Sequence, residues 1–294
     1  MNSDHFSNTD VVKNQTDFSK VRSACVNEQT PPAQSEVEER IEEIQIRGYT
    51  LIKNAYTPEE IEYTKKKISS IYEQQVKEVG GEENMLQSSD FNIARQLLVY
   101  DDFFLKKARY PIVIEILKKL LGDYYILYQQ NGNMHLPDQL NNTTPWHRDF
   151  TYYHYTSSRP LGISALHIIT ESTELNGGTP MLPGSHKIEK LPTYKYLEEN
   201  QVLIPAPAGS IWLFDSMMFH RSGFNQSKET RYSINTMYTL HLLSQQISLP
   251  RMLKGKWKDD KSLRIFLGYD CMQQASVKDW RLEKINNPRK SVKF

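Results

Sequence analysis

Trp146-His147-Arg148-Asp149 is the most informative stretch of this sequence, because it places an imidazole and a carboxylate two residues apart. On an extended segment, side chains two apart project to the same face, so His147 and Asp149 are predicted to chelate one metal ion together. The third ligand must come from another strand, and His220 is the best-placed candidate. Two histidines and one carboxylate form the facial triad that holds non-haem Fe(II) and leaves coordination positions open.

Arg231 follows His220 at a separation that leaves room for a turn and a returning strand. A planar guanidinium there is suited to bind a carboxylate through two parallel hydrogen bonds. Arg231, Ser233 and Asn235 alternate along the predicted strand, so all three are expected to face the interior of a barrel. A buried arginine is costly unless an anion pairs with it, whereas a surface salt bridge is the alternative for Arg231. A metal site with a carboxylate clamp predicts an oxygenase that uses 2-oxoglutarate.

The bulk composition argues against several classes of protein. The chain has 294 residues and a formal net charge of +1, so it can bury a full core and carries no strong field for nucleic acid or membranes. Its two cysteines, Cys25 and Cys271, fit no metal or redox spacing, which favours a reducing, cytoplasmic location. No apolar run reaches the length of a membrane span. We expect a small-molecule substrate as partner, with no nucleic acid; the oligomeric state is left open.

Three segments are predicted along the chain. Residues 1–35 are rich in Asn, Ser, Thr, Gln and Asp, and we interpret them as a disordered leader. Residues 36–250 are expected to form the catalytic domain. Residues 251–294 are locally basic, and they are interpreted either as a solvated tail or as a flap that packs over the active site and attracts an anionic substrate.

Helix signals dominate the first part of the chain and strand signals the second. Thr57-Pro58-Glu59-Glu60 has the residues of a capping box with proline at the first helical position, and further helices are predicted from Ser35 and over 110–121. Aromatic, β-branched or alternating patterns predict strands at 48–53, 124–130, 163–170, 201–205, 210–214 and 231–242. This order favours a mainly β fold, a barrel or sandwich with flanking helices.

Two stretches resemble the phytanoyl-CoA dioxygenase family of Fe(II)/2-oxoglutarate-dependent oxygenases. The loop at 176–187, Asn-Gly-Gly-Thr-Pro-Met-Leu-Pro-Gly-Ser-His-Lys, is similar to the most recognisable segment of that family. The stretch at 47–53, followed by Thr57-Pro58-Glu59-Glu60-Ile61, is similar to its opening strand and helix. The resemblance covers residues 40–243 and leaves the leader and the basic tail outside.

The resemblance implies both a fold and a reaction. The implied fold is a double-stranded β-helix, which is a jelly-roll or cupin-like core. The implied cofactors are Fe(II), 2-oxoglutarate and O2, and the implied reaction is hydroxylation of an unactivated C–H bond with release of succinate and CO2. The implied site residues are the iron ligands His147, Asp149 and His220, the distal-carboxylate contacts Arg231 and Ser222, and the further co-substrate contacts Gln129 and Asn133, which resemble the ectoine hydroxylase branch.

Hydroxylation has alternatives, both among related reactions and among other classes of protein. Halogenases of this superfamily replace the carboxylate ligand with a small residue, so Asp149 argues against halogenation. Desaturation, epimerisation and ring closure use the same ligands and stay open. A non-catalytic barrel is expected to lose a ligand or the arginine, and a non-oxidative cupin-like metal enzyme has no need of Arg231 and Ser222. All of these residues are present.

Other histidines and one aromatic group have structural alternatives. His186 follows Pro-Gly-Ser and is expected to make a structural hydrogen bond, whereas His167 lies on a core-like strand from which it could face the substrate. Packing or surface positions are nevertheless the preferred interpretation for four histidines, His135, His154, His167 and His241. An aromatic group either lines a substrate pocket or packs at the barrel mouth, and it comprises Phe150, Tyr152, Tyr153 and Tyr155.

Overall fold

The computed structural model describes residues 32–139, 143–150 and 155–286. The helices are α1 (Glu36–Arg47), α2 (Pro58–Glu78), α3 (Glu82–Gln87), α4 (Leu97–Tyr100), α5 (Phe103–Ala108), α6 (Pro111–Leu121), α7 (Tyr194–Asn200), α8 (Leu249–Leu253), α9 (Lys261–Phe266) and α10 (Val277–Asn286). The strands are β1 (Tyr49–Ile52), β2 (Ile93–Ala94), β3 (Tyr125–His135), β4 (Gly162–Ile168), β5 (Pro180–Met181), β6 (Val202–Leu203), β7 (Ser210–Asp215) and β8 (Arg231–Leu240). Within these ranges no helix is long and apolar enough to cross a membrane.

The first two long helices begin at the residues that the capping signals predict. Ser35 accepts a hydrogen bond from the backbone N–H of Glu38 at the start of α1. At α2, Thr57 Oγ1 accepts from the N–H of Glu60 at 3.3 Å, and the Glu60 carboxylate accepts from the N–H of Thr57 at 3.2 Å. Each cap satisfies backbone donors that the helix cannot satisfy itself and stabilises the helix by about 1 kcal/mol.

A six-stranded antiparallel sheet forms the larger wall of the fold, with the strand order β1-β7-β4-β8-β3-β2. The longest pairing joins β3 and β8, with Tyr125 opposite Leu240 and His135 opposite Arg231. The smaller wall contains the pair β5–β6. Isolated bridges extend it, because His220 pairs with Met181 on one side and with His147 on the other. Two facing antiparallel walls with flanking helices confirm the predicted jelly-roll class.

The two faces of the large sheet have different surroundings, because side chains alternate along each strand. On β4, Ile163 and Ala165 belong to the large core that also contains residues of α2, α5 and α6. Leu166 and Ile168 project to the other face and pack with Trp212. The outer face therefore carries the helices, and the inner face is available for a site.

The basic C-terminal segment packs on the helical side of the large sheet. Leu253 of α8 and Leu263 and Phe266 of α9 belong to the large core, and the Phe266 ring lies 6.2 Å from that of Tyr125. Helix α10 has no buried residue. Packed residues therefore continue to Leu267, past the predicted domain boundary at 250. The predicted leader lies outside the described residues as far as residue 31.

Candidate metal centre

Three metal-ligand side chains converge between the two walls. His147, Asp149 and His220 each offer one ligand atom, and these atoms all lie within 4.8 Å of one another. Nε2 of His220 is 3.5 Å from Oδ1 of Asp149, and the two imidazole centroids are 4.4 Å apart. Nitrogen and oxygen donors typically lie about 2.0–2.2 Å from a transition metal, so one ion between these atoms could contact all three. The structure thus brings together the three residues that the sequence suggested.

Backbone carbonyls determine which ring nitrogen of each histidine is available. Nδ1 of His147 lies 2.9 Å from the carbonyl oxygen of Pro145, and Nδ1 of His220 lies 3.0 Å from that of Met218. A carbonyl can only accept, so both Nδ1 atoms carry the proton and donate it. This tautomer leaves the Nε2 lone pair of each ring free for a metal.

The carboxylate of Asp149 is held by donors on the large sheet. Ser164 of β4 donates a short hydrogen bond to Oδ2, and Asn235 of β8 lies 3.4 Å from both oxygens. Burial raises the pKa of Asp149, but the hydrogen bonds and charges of the neighbouring groups, above all His220, outweigh it and lower the pKa to about 2. Asp149 is therefore an anion, as a ligand carboxylate must be.

The two histidines titrate in opposite directions in the metal-free protein. Burial, together with the charge of the neighbouring His220, lowers the pKa of His147 to about 4. Burial also lowers the pKa of His220, but its hydrogen bond and attraction to Asp149 outweigh this and raise it. His147 is therefore neutral at pH 7, whereas the nearby carboxylate of Asp149 favours the protonated form of His220.

Arg148, between the two ligands in sequence, holds the segment at residues 185–189 by hydrogen bonds. Its guanidinium is buried and donates to four carbonyl oxygens, those of Met217, Glu189, Ser185 and Ile188. It also lies over the Phe219 ring, 3.9 Å from the centroid. Arg148 points away from the ligand pair because alternate residues face opposite sides. No sequence pattern indicates this role, since all four acceptors are backbone atoms distant in sequence.

Arg231 lies in the same cavity as the triad, and none of the described residues forms a salt bridge with it. It is 1% exposed, and its Nε donates to the carbonyl oxygen of Asn176 at 3.0 Å. Its Nη2 is buried and has no hydrogen-bond partner among the described residues. Burial lowers the pKa of Arg231 to about 10, so the group stays cationic at pH 7. The surface salt bridge considered as its alternative is wrong, and an unpaired buried guanidinium fits an anionic ligand.

The glycine loop positions this arginine by a close backbone contact. Asn176 and Asn225 form an isolated bridge, and Gly177 has φ +71°. A Cβ at Gly177 would lie 2.6 Å from the carbonyl oxygen of Gly223, a distance that no side chain tolerates. Only glycine therefore allows this approach, which places the Asn176 carbonyl against Arg231.

Polar residues of β3 and β8 form the wall of the cavity, which has a volume of about 350 Å³. Asn133 faces Ser233 across the strand pair, and Asn131 faces Asn235. Ser222 is buried, and its Oγ accepts a hydrogen bond from Thr143 Oγ1 at 3.0 Å. All the predicted site residues line this cavity: Gln129, Asn133, His147, Asp149, His220, Ser222 and Arg231.

The structure changes the interpretation of two histidines. His135 was expected to be a packing or surface residue, but it lines the cavity directly opposite Arg231 in the β3–β8 register. Burial lowers its pKa well below the usual range, and the charge of Arg231 lowers it further, so its imidazole is neutral. His167 faces the helical side, where Tyr56 Oη lies 2.6 Å from its Nδ1 and Thr236 Oγ1 lies 3.0 Å from its Nε2. The hypothesis that His167 faces the substrate is therefore wrong.

The remaining candidates have structural positions. His186 is buried, and its Nε2 lies 3.3 Å from the carbonyl oxygen of Gln45, which agrees with the expected structural role. Phe150 packs in a small core with Met217 and Met237, whereas Tyr155 is largely exposed. Phe150 thus supports barrel-mouth packing. The two other members of the aromatic group, Tyr152 and Tyr153, lie outside the described residues.

Comparison with known proteins decides the family. Residues 44–233 match the phytanoyl-CoA dioxygenase (PhyH) family, and this range contains all three triad residues and Arg231. The chain belongs to the PhyH family. Membership, together with the triad, confirms the predicted enzyme class, a 2-oxoglutarate-dependent non-haem iron dioxygenase. It also confirms the predicted cofactors, iron, 2-oxoglutarate and O2.

Relatives of this PhyH protein differ in how well they are understood. An uncharacterized protein of Mycobacterium tuberculosis is 28% identical over 212 residues, which cover 70% of this chain and 76% of the relative. The ectoine dioxygenase of Bordetella bronchiseptica is 22% identical over 222 residues, which cover 65% and 71% of the two chains. The crystal structure of EctD from S. alaskensis with 2-oxoglutarate and 5-hydroxyectoine shares the fold, with a TM-score of 0.59, 19% identity, and 74% and 80% coverage.

Proposed function

We propose that this protein hydroxylates an unactivated C–H bond of a small organic substrate and releases succinate and CO2. The observation that carries the proposal is the presence of two complementary features in one cavity. One is a triad of ligand atoms within 4.8 Å of one another, and the other is a buried guanidinium with an unpartnered Nη2. The first fits Fe(II), and the second fits the distal carboxylate of 2-oxoglutarate. The few cysteines and their spacing support a cytoplasmic location.

The proposed ligand roles follow from the atoms that are free. Nε2 of His147, Nε2 of His220 and the Asp149 carboxylate would hold the iron. Bound iron with 2-oxoglutarate and O2 supplies the oxidant that removes hydrogen from an unactivated carbon. Asp149 occupies the position that a halide would need, which favours transfer of a hydroxyl group over halogenation.

The remaining wall residues would orient the co-substrate. Arg231 would bind its distal carboxylate, with Ser222 as a second donor from the opposite wall. Gln129 and Asn133 lie on the same face of β3 and would donate amide hydrogens to its oxygens. The protein's contribution is to hold one C–H bond of the substrate beside the metal and to exclude water.

Succinate formation from 2-oxoglutarate tests this proposal. The wild-type protein, supplied with Fe(II), 2-oxoglutarate and O2, is expected to form succinate slowly alone and faster when a suitable substrate is added. A substrate product should gain one oxygen atom in mass. Asp149→Ala should lose both signals, whereas Asp279→Ala, a carboxylate on the exposed helix α10, should keep them. Equal rates in wild type and Asp149→Ala would contradict the proposal.

A further inference from the structure

The cavity beside the triad has an unusual balance of charge. Asp149, one of the triad residues, is the one acidic side chain among the described residues that line it. Side-chain amides are frequent on the same surface, and they are contributed by Gln129, Asn131, Asn133, Asn235 and Gln246. Such a surface offers hydrogen-bond donors to an anion, and it is poorly suited to a purely hydrocarbon substrate.

The cavity also contains Arg95, which lies outside the stretches in which the resemblance to the family was described above. Ile93 of β2 pairs with Asn133 of β3, and Ala94 pairs with Gly132. Ile93 and Arg95 both line the cavity, whereas Ala94 between them is buried in the large core. This alternation shows that the Arg95 side chain projects from the inner face of the sheet.

The strand register places Arg95 in the same row across the sheet as Asn131 and Asn235, beside the metal centre. The N–H of Gln96 donates to Oδ1 of Asn131 at 3.2 Å, so Arg95 lies beside Asn131 at the edge of the sheet. Asn131 in turn faces Asn235, whose amide contacts Asp149. Adjacent strands are about 4.8 Å apart, so Arg95 lies roughly 10 Å from Asn235 across the sheet, within reach of a small molecule bound between them.

Arg231 lies in a different part of the cavity. It is four residues before Asn235 on β8, which corresponds to roughly 13 Å along an extended strand. The two arginines therefore approach the region of the triad from different directions. One cation can hold the co-substrate while the other stays free for a second anion.

The guanidinium of Arg95 is held in place but keeps donors free. Its backbone N–H donates to Gln75 Oε1 at 2.8 Å, and its Nε and Nη2 both donate to one oxygen, Oδ1 of Asp90. Its Nη1 donates no hydrogen bond to any of the described residues. The Arg95 side chain is 25% exposed. A ligand can therefore reach it without unfolding of the protein.

Two other arginines that line the cavity, Arg148 and Arg221, donate hydrogen bonds to neighbouring protein atoms. Arg148 donates to backbone carbonyls, as described above. Arg221 donates through Nη2 to Gln201 Oε1 at 3.2 Å and lies beside the Trp146 ring. We infer that Arg95 determines specificity by binding a carboxylate of the substrate while Arg231 holds 2-oxoglutarate. This inference rests on the proposed function, and it defines the substrate as a small polar acid.

A small fluorinated anion tests the inference without knowledge of the substrate. The full chain is loaded with Zn(II), which does not support oxidation, and saturated with 2-oxoglutarate so that Arg231 is occupied. Trifluoroacetate is then titrated and followed by fluorine NMR, with neutral trifluoroethanol as the matched probe. Saturable binding is expected for trifluoroacetate but not for trifluoroethanol. In Arg95→Gln the dissociation constant should rise at least about tenfold, because a charge-assisted hydrogen bond is lost.

Two further variants separate a binding role from a structural one. Asp90→Asn removes the negative charge beside Arg95 but keeps the guanidinium, so trifluoroacetate should bind as tightly as in wild type or more tightly. Arg264→Gln is the matched control, because Arg264 also donates through Nε to one aspartate, Asp270, at 2.7 Å, away from the cavity. Its anion affinity should not change.

The contrary outcomes are distinct. Failure of 2-oxoglutarate to bind would count against the proposed function and this inference together. With 2-oxoglutarate bound, equal anion affinity in wild type and Arg95→Gln, or equal binding of trifluoroethanol, would overturn this inference alone. Equal losses of trifluoroacetate affinity in Asp90→Asn and Arg95→Gln would also overturn it, because they would show that the Asp90–Arg95 pair acts only as a structural salt bridge.

Discussion

His147 and His220 face each other in an antiparallel bridge, in which each backbone N–H donates to the carbonyl of the other at 2.9 and 3.0 Å. Each ring then directs Nδ1 to the carbonyl two residues earlier, at Pro145 and at Met218. The same local geometry therefore occurs twice and orients both Nε2 atoms. Since these partners are backbone atoms, side-chain tuning of the metal centre is concentrated at Asp149.

Ser164 is expected to affect metal affinity through Asp149. Ser164→Ala removes the hydroxyl that donates to Oδ2, and loss of such a partner typically weakens metal binding about 10- to 100-fold. Competition with a chelator under anaerobic conditions measures the affinity for Fe(II). Ser210→Ala is the control, because the Ser210 hydroxyl is buried in the same sheet and finds no hydrogen-bond partner in the part of the chain that the structure describes. An unchanged affinity in Ser164→Ala would contradict this prediction.

Arg231 is expected to reduce the stability of the protein without co-substrate. Arg231→Met replaces an unpaired buried charge by an apolar side chain of similar length, which should raise the free energy of unfolding by about 1–3 kcal/mol. Arg148→Met should lower it by about 3 kcal/mol, because four carbonyls lose their donor. Urea unfolding of the metal-free variants measures both. Destabilisation of Arg231→Met as large as that of Arg148→Met would show that the guanidinium is satisfied.

The buried cluster of His167, Tyr56 and Thr236 predicts a loss of stability in mild acid. Burial lowers the pKa of His167 to about 3, and the charge of Lys107 contributes in the same direction. The unfolded chain binds a proton near pH 6.5 whereas the folded protein does not, so stability falls as the pH drops from about 6.5 towards 3. The contribution is about 1.4 kcal/mol for each pH unit below 6.5, or about 2 kcal/mol at pH 5.

Comparison of unfolding at pH 7.5 and pH 5.0 isolates this histidine. His135 and His147 also have lowered pKa values, so wild type is compared with His167→Gln in the metal-free state. His167→Gln should be less stable at pH 7.5 but should lose about 2 kcal/mol less on acidification. An identical loss in the two proteins would show that His167 does not titrate as described.

The C-terminal helices are expected to contribute unequally to stability. A chain that ends at Cys271 lacks α10, which has no buried residue, and its free energy of unfolding should change by less than about 0.5 kcal/mol. A chain that ends at Asp260 loses Leu263, Phe266 and Leu267 from the core, at a cost of about 5 kcal/mol or more. Thermal unfolding of the two truncations distinguishes them. Equal stability would contradict the packing described here.

The sequence predicted those parts of the site that local patterns encode. The spacing of His147 and Asp149 and the alternation of Arg231 with Ser233 require only the geometry of an extended strand. The capping box at Thr57 is equally local, and the structure confirms it. The glycine loop was recognised by its resemblance to the family, and the structure shows that the backbone approach at Gly177 requires glycine.

Contacts between distant strands were not predictable in the same way. Ser164 meets Asp149, and Arg95 lies beside Asn131, only because of the register and order of strands that are separate in sequence. A change of register by one residue would turn these side chains to the other face. For the same reason the sequence left a substrate-facing alternative open for His167, because its pattern does not specify which face of β4 meets the helices.

The most direct test of the central claim is an anaerobic titration of the metal-free protein with Fe(II) and then 2-oxoglutarate, followed by the visible charge-transfer band of the chelate. Wild type is predicted to give a saturable band, Asp149→Ala a weakened one, and Arg231→Met a band that needs at least about tenfold more 2-oxoglutarate. Iron binding without any band in wild type, or an unchanged 2-oxoglutarate requirement in Arg231→Met, would contradict the assignment of this cavity as the iron and 2-oxoglutarate site.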